Sequence, residues 1–324
     1  MLKSFIMEIK GEKIEDGAVF AVRRKLEGFD EKDFLHACRQ IEQLKEFVRQ
    51  NVINHEELLE LLLITTLAGG HILVEGTPGV GKSLTINTFT SAFELKTRHV
   101  HSRGDFIGTN FLLIDEIERS EMNFRRGLLS AMQERECLID GKLFYLEQPF
   151  VVMATINPES YHGRSPLSKA ELDRFMLHHI VGFPSPEEEL QILDIWDNSF
   201  KRSLQPFINS TELLKMQRLI RHINISPEIK KLIVEITGST RIPRKLKLPI
   251  KENFNGLSPR ASIYLCLAAQ ARALIHQQKS VRKQDIAAVM PAVFRHRLSC
   301  PCPADVDESL SLIADFFSLA DLYN

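Results

Sequence analysis

Two kinds of apolar spacing divide the chain. Between residues 71 and 183, short continuous apolar runs alternate with stretches of helical period: "HILVEG" at 71–76, "NFLLIDE" at 110–116, "FVVMATIN" at 150–157 and "FMLHHIVGF" at 175–183. Strands apolar on both faces and separated by helices predict a parallel sheet covered on two sides. Upstream, "DEKDFLHACRQIEQLKEFVRQ" places Phe34, Leu35, Cys38, Ile41, Leu44 and Phe47 at helical spacing. "NHEELLELLLITTLAGG" reads as a second helix, with Asn54 as N-cap, Glu57 three positions later, and Gly69 and Gly70 as its stop. Inside the strand region, "CLIDGKLFYL" centres Asp140-Gly141 between two apolar runs, the signal of a β-hairpin.

After Pro184 the pattern becomes wholly helical. "SPEEELQILDIW", "STELLKMQRLIRHI", "SPEIKKLIVEITGS", "SPRASIYLCLAAQARALIHQ" and "RKQDIAAVMPAVFRHR" follow one another. Three of them open with Ser-Pro, which puts a capping serine at the entry and proline in the first turn. The pattern divides the chain into a helical extension over 1–49, an α/β domain over 50–202, a helical domain over 203–303 and an acidic amphipathic helix over 304–324.

Composition changes this picture little. The chain has 324 residues, 44% of them hydrophobic and 26% charged, with a formal net charge of −1. That is globular material with no global field toward nucleic acid or an anionic membrane. The longest apolar stretch, Leu58 to Ala68, is interrupted by Glu60 and is too short to span a bilayer. Charges recur every few residues in "MLKSFIMEIKGEKIEDG", unlike a signal peptide. The five scattered cysteines form no disulfide framework, and Cys300-Pro301-Cys302 has no second pair to complete a zinc site. A cytoplasmic protein is expected.

The chemistry concentrates at the ends of the predicted strands. Gly76, Thr77, Pro78, Gly79, Val80, Gly81, Lys82 and Ser83 spell "GTPGVGKS" between a strand and a helix. Glycines let backbone N–H groups converge on phosphate oxygens, and the following helix presents its positive end. Lys82 is placed to reach the β- and γ-phosphates of ATP, and the Ser83 hydroxyl to ligate Mg²⁺. "FLLIDE" puts two carboxylates at the carboxyl edge of the sheet, Asp115 for the metal and Glu116 to polarise the attacking water. Asn157, at the end of "FVVMATIN", can orient that water. Arg174 in "LSKAELDRF" and Arg260 in "LSPRAS" are each as readily surface ion-pair partners when taken singly.

Together these segments resemble the AAA+ ATPases, and within them the MoxR branch. The likeness runs from "LLELLLITTLAGGHILVEGTPGVGKS" through "LLIDEIERS", "LLSAMQERE", "IDGKLFYLEQPFVVMATINP" and "PLSKAELDRFMLHHIVGFPSPEEE" to "LSPRAS" and "VFRHR", roughly residues 50–300. The resemblance implies an AAA+ core followed by an all-helical lid. Asn157 matches the sensor-1 residue, Arg174 the arginine finger that enters a neighbouring subunit's site, and Arg260 the sensor-2 residue of the lid. It also implies a homo-oligomeric ring, usually hexameric, that remodels protein complexes, often with a partner carrying a von Willebrand factor A domain. A nucleic-acid motor and a slow, nucleotide-responsive scaffold are the alternatives.

Two departures stand out. Only "RGDFIGT" separates a strand over "TRHVHS" at 97–102 from the Asp115 strand, whereas a parallel crossover needs roughly a dozen residues. The edge strand is therefore expected to be displaced or not parallel, with no helix between 103 and 110 and a threading pore loop in doubt. The second is Glu118, where the family commonly has asparagine, which puts a third carboxylate near the site. Lesser features read blandly: His99 and His101 as a polar edge strand, "RGD" at 103–105 as coincidence, and "STRIPRKLKLPIK" as a solvated loop. Leu310, Leu312, Ile313, Phe316, Phe317 and Leu319 give the C-terminal helix an apolar face expected to pack on the lid.

Overall fold

The computed structural model of the chain describes residues 31–100, 103–139, 141–158, 167–196, 205–242, 248–249, 256–298 and 303–319. His101, Asp140, Cys300 and Cys302, most of the basic run after Ser239 and the first thirty residues of the extension lie outside them. In chain order the structure runs α1 (Glu31–Arg49), α2 (Glu56–Ala68), β1 (Ile72–Glu75), α3 (Lys82–Ser91), β2 (Thr97–His99), β3 (Phe111–Ile114), α4 (Met122–Glu134), β4 (Glu136–Ile139), β5 (Lys142–Tyr145) and β6 (Val151–Ile156). Then follow α5 (Lys169–Leu172), β7 (Leu177–Ile180), α6 (Pro186–Trp196), α7 (Ser210–Leu219), α8 (Pro227–Ser239), α9 (Pro259–Ile275), α10 (Lys283–Phe294) and α11 (Pro303–Phe316).

Five strands form one parallel sheet in the order β2-β3-β6-β1-β7, and β4 pairs antiparallel with β5 as the separate hairpin that the sequence predicts. Strand alternation splits the interior into two cores. Phe111 and Leu113 of β3, Val151 and Met153 of β6, and Ile72 and Val74 of β1 face α2, α3 and the later helices. Leu112, Ile114, Val152, Ala154 and Leu73 face Phe106, Phe124 and Leu128 on the other side. A sheet buried on both faces is what continuous apolar runs require.

The edge strand corrects an expectation. β2 pairs parallel with β3, Thr97 against Phe111 and His99 against Leu113. The strand covers only Thr97–His99, so more residues than the seven of "RGDFIGT" lie between it and Phe111. Among the described ones, a 3-10 turn, Arg103–Phe106, stands in place of a full helix. Phe106 is fully buried there, its ring 5.5 Å from that of Phe124, and this apolar anchor turns the chain back toward the sheet.

Helix ends show a second correction. Asn54 does not cap α2: it sits in the left-handed region at φ 51°, and its amide donates to Glu188 Oε2 across 2.5 Å. His55 holds the cap position without a side-chain cap bond. Gly69 does end the helix, left-handed at φ 64°. Of the three Ser-Pro entries, Ser226 accepts from Ile229 N–H and Ser185 from Glu188 N–H, while Ser258 occupies the cap position with no such bond.

The helical part is continuous with the α/β core. Phe34, Cys38, Ile41 and Leu44 of α1 join the same interior as Leu62 of α2, Phe89 of α3 and Leu274 of α9, whereas Leu35 points outward. Leu310, Ile313 and Leu319 bury α11 and its end against that interior, with Leu312 and Phe317 partly buried beside them, whereas Phe316 stays exposed. No helix among the described residues is long and apolar enough to cross a membrane.

Candidate nucleotide site

The parallel registers align Glu75 with Ile156 and Ile114 with Ala154, so the chain leaves β1, β3 and β6 along one edge of the sheet. This carboxyl edge collects the glycine loop from β1, Asp115 and Glu116 from β3, and Asn157 from β6. Gly81 has φ 85°, and a Cβ there would stand 3.0 Å from the His55 ring, so glycine is needed both for conformation and for room. His55 in turn bonds Thr85 Oγ1 at 2.5 Å through Nδ1, which ties the loop to the start of α2.

Lys82 Nζ donates to the carbonyls of Gly76 at 2.6 Å and Thr77 at 2.7 Å. Partial burial pushes its pKa down, against the pull of Glu116, Asp115 and Glu118. Ser83 Oγ donates to Asp115 Oδ1 at 2.9 Å, and Thr155 Oγ1 lies 3.4 Å from the same oxygen. His99 brings Nδ1 to 3.5 Å from Asp115 Oδ2 and Nε2 to 3.0 Å from Asn87 Oδ1. A hydroxyl and a carboxylate this close form a hard oxygen pair of the kind Mg²⁺ takes while retaining several waters. The residues present fit that ion. Among the described residues no group of three or more His, Cys, Asp or Glu side chains is placed to hold a metal.

Glu116 has φ 50°, and its Oε2 meets Arg119 Nε at 2.6 Å. Its own N–H donates to Thr155 Oγ1 at 2.9 Å, which fixes the turn after β3. Glu118 is buried rather than presented to the site: Oε1 accepts from Asn157 N–H at 3.1 Å, and burial raises its pKa. The extra carboxylate thus ties the turn after β3 to the end of β6. Glu75, immediately before the loop, is held low by the hydrogen bond from His178 Nε2 at 2.9 Å.

The two arginines lie elsewhere. Arg174 precedes β7, whose Leu177 aligns with Ile72 at the start of β1, so at least a strand's length, roughly 13 Å, separates it from the glycine loop. It is half-buried, with Nε on Gln133 Oε1 at 2.9 Å and Nη1 on the Ala170 carbonyl. Arg260 joins it at this amino edge by pairing with Asp173. Sequence reasoning had no role for Arg119, His55 or Arg297. The first is visible only as a charge three positions from Glu116, and the other two act across the fold.

The model of the "ATPase family associated with various cellular activities (AAA)" matches residues 92–177, and that of the AAA lid domain matches 254–311. Chaperone MoxR1 of Mycobacterium tuberculosis is 32% identical over 81% of this chain and 76% of its own length. The chain belongs to the MoxR family of AAA+ ATPases. YeaC of Bacillus subtilis, itself uncharacterized, is 34% identical over 78% of this chain and 85% of its own. A crystal structure of a candidate ATPase from Cytophaga hutchinsonii superposes with a TM-score of 0.79 at 27% identity, covering 91% of this chain and 97% of that one. A MoxR chain of this kind carries an AAA core, an AAA lid and the ATPase chemistry of its family.

Proposed function

We propose that this protein is a cytoplasmic, ring-forming chaperone that hydrolyses ATP at sites shared between neighbouring subunits and uses the cycle to remodel a protein client. One observation carries the reading: the nucleotide residues occupy the carboxyl edge of the sheet, while Arg174 and Arg260 stand at the amino edge with the sheet between them. A site on one protomer therefore lacks its arginines until another protomer presents that edge to it.

Within the site, N–H groups of Gly79, Val80, Gly81 and Lys82 are the donors for phosphate oxygens, and the Lys82 ammonium exchanges its loop carbonyls for the β- and γ-phosphates. Ser83 and Asp115 would hold Mg²⁺, which when bound neutralises phosphate charge. Glu116 accepts the proton of the attacking water once Arg119 releases its carboxylate, and Asn157 orients that water. Arg174 of the neighbour stabilises the charge spread over the transferred phosphoryl group, and Arg260 adds a second cation beside it.

The named relative MoxR1 is a chaperone, which supports a protein client. A partner with a von Willebrand factor A domain is the class that the family likeness suggests. Mass in solution with and without ATP tests the reading, using Glu116→Gln to hold ATP unhydrolysed: association on adding ATP is expected, and a protein that stays monomeric refutes it. A slow scaffold is the second reading, favoured by the Glu116–Arg119 pair. Tight ATP binding with no turnover in assembled rings would select it.

A further inference from the structure

The lid holds the carbonyls of the segment that carries Arg174, while its N–H groups bond within the α/β domain, Arg174 to the Glu171 carbonyl at 3.2 Å and Met176 to the His71 carbonyl at 2.7 Å. Arg297, near the end of the "VFRHR" stretch, is buried and spends all five guanidinium N–H donors on acceptors. Nε donates to Asp173 Oδ1 at 3.0 Å, Nη2 to the Asp173 carbonyl at 3.1 Å and the Phe175 carbonyl at 2.5 Å, and Nη1 to the Met176 carbonyl at 3.2 Å. The fifth bond goes to the Val293 carbonyl at the end of α10, just before the 3-10 turn that carries Arg297. Its guanidinium also lies 5.1 Å from the centre of the Tyr264 ring, and the Tyr264 hydroxyl donates to the Arg174 carbonyl at 3.4 Å. His296 Nε2 adds a bond to the Phe175 carbonyl at 3.0 Å, and Arg260 takes the other oxygen of Asp173.

Every one of these lid bonds goes to main chain or Asp173, and not to the Arg174 side chain. That guanidinium rests instead on Gln133 and Ala170 of the α/β domain, half-exposed. The carbonyl side of the backbone beneath Arg174 is therefore fixed to the lid, while its tip has partners it can exchange. A buried arginine with every donor satisfied is a rigid fork, and lysine cannot reproduce it. We infer that Arg297 is a positioning residue for the Arg174 finger, so that the placement of the lid sets where the finger stands. This rests on the reading that Arg174 works in a neighbour's site.

The test is a two-by-two set of full-length proteins: wild type, Arg297→Lys, Arg174→Ala and the double variant. ATP turnover is measured at concentrations that give rings, and ATP affinity with a fluorescent nucleotide. Arg297→Lys should lower kcat about 10²-fold, as a roughly 1 Å misplacement does, with ATP affinity unchanged. The double variant should be no slower than Arg174→Ala alone, because a displaced finger cannot be lost twice. Additive losses, or a wild-type kcat in folded Arg297→Lys, would overturn the inference. Should Arg297→Lys fail to fold, Tyr264→Phe takes its place in the same cycle. It should fall about two- to tenfold, the worth of one hydrogen bond, and only when Arg174 is present. If Arg174→Ala itself turns over ATP like wild type, the intersubunit reading has failed, and this inference with it.

Discussion

The two edges of the parallel sheet use polar residues in opposite ways. At the carboxyl edge, Lys82, Ser83, Asp115 and Glu116 are at least partly exposed, and their partners are one another or loop carbonyls. At the amino edge, the Asp173 carboxylate accepts from Arg297 and Arg260, Arg297 donates also to main-chain carbonyls, and His71 is buried between strands and helix. His71 Nδ1 accepts from Val152 N–H at 2.9 Å while Nε2 lies 3.4 Å from the Met132 carbonyl, so the ring is neutral with its proton on Nε2. One edge stores interactions that a ligand can take over; the other invests them in the fold. Arg174 is the exception, an exchangeable cation mounted on the invested edge.

Substitutions can break or sharpen this contrast. The largest effect belongs to that exception. Arg174→Ala should retain ATP binding and lose about 10³–10⁵ in turnover, the usual worth of an arginine finger. Steady-state kinetics beside nucleotide titration checks it, and Lys82→Ala, which should lose binding as well, is the control.

Next comes stability. Asp173→Asn leaves Arg297 buried without its carboxylate and should cost about 3–5 kcal/mol, read from urea unfolding. Asp115→Asn, at the open edge, should leave stability equal or higher, because it relieves crowding among Asp115, Glu116 and Glu118, yet it should abolish Mg²⁺-supported turnover. Equal destabilisation by both would erase the distinction between the edges.

A smaller effect is expected from acid. Burial lowers the His71 pKa to about 3 and that of His179 to about 4, from an ordinary 6.5. Between those values the unfolded chain binds protons that the folded chain refuses, so stability falls as pH drops from about 6.5 toward 4. Above about 6.5 neither ring contributes a slope. Urea midpoints across that window test the sign, and His179→Gln should flatten part of the slope. A midpoint that rises on acidification would contradict the buried neutral rings.

The smallest effect concerns a helix of the lid. Ser226→Ala removes the hydroxyl that accepts from Ile229 N–H and should cost about 1 kcal/mol without altering kcat.

How far the sequence foretold each edge follows from how local its chemistry is. The glycine loop, the β3 carboxylates and the hairpin are contiguous motifs with a fixed relation to their own strand, so spacing alone located them. β2 was misjudged because the length of a crossover depends on where the strand stops, and the burial of Phe106, not any local signal, decides that. Asn54 looked like a cap because capping preferences are local, but Glu188, 134 positions away, claims its amide. The amino edge was least legible of all. Arg297 meets Asp173 across 124 residues, and nothing in the pattern "VFRHR" tells which of its charges is buried. A separation of 90 residues likewise hid the Tyr264 contact beneath Arg174.

The claim on which the rest depends is that the two edges complete each other only between protomers. Mixing Lys82→Ala with Arg174→Ala tests it most directly. Each alone should be inactive, one lacking its phosphate grip and the other its finger. Together they should recover ATP turnover, because intact Arg174 residues of the first reach intact loops of the second. A mixture that stays inactive at every ratio, although both variants assemble, would contradict the account.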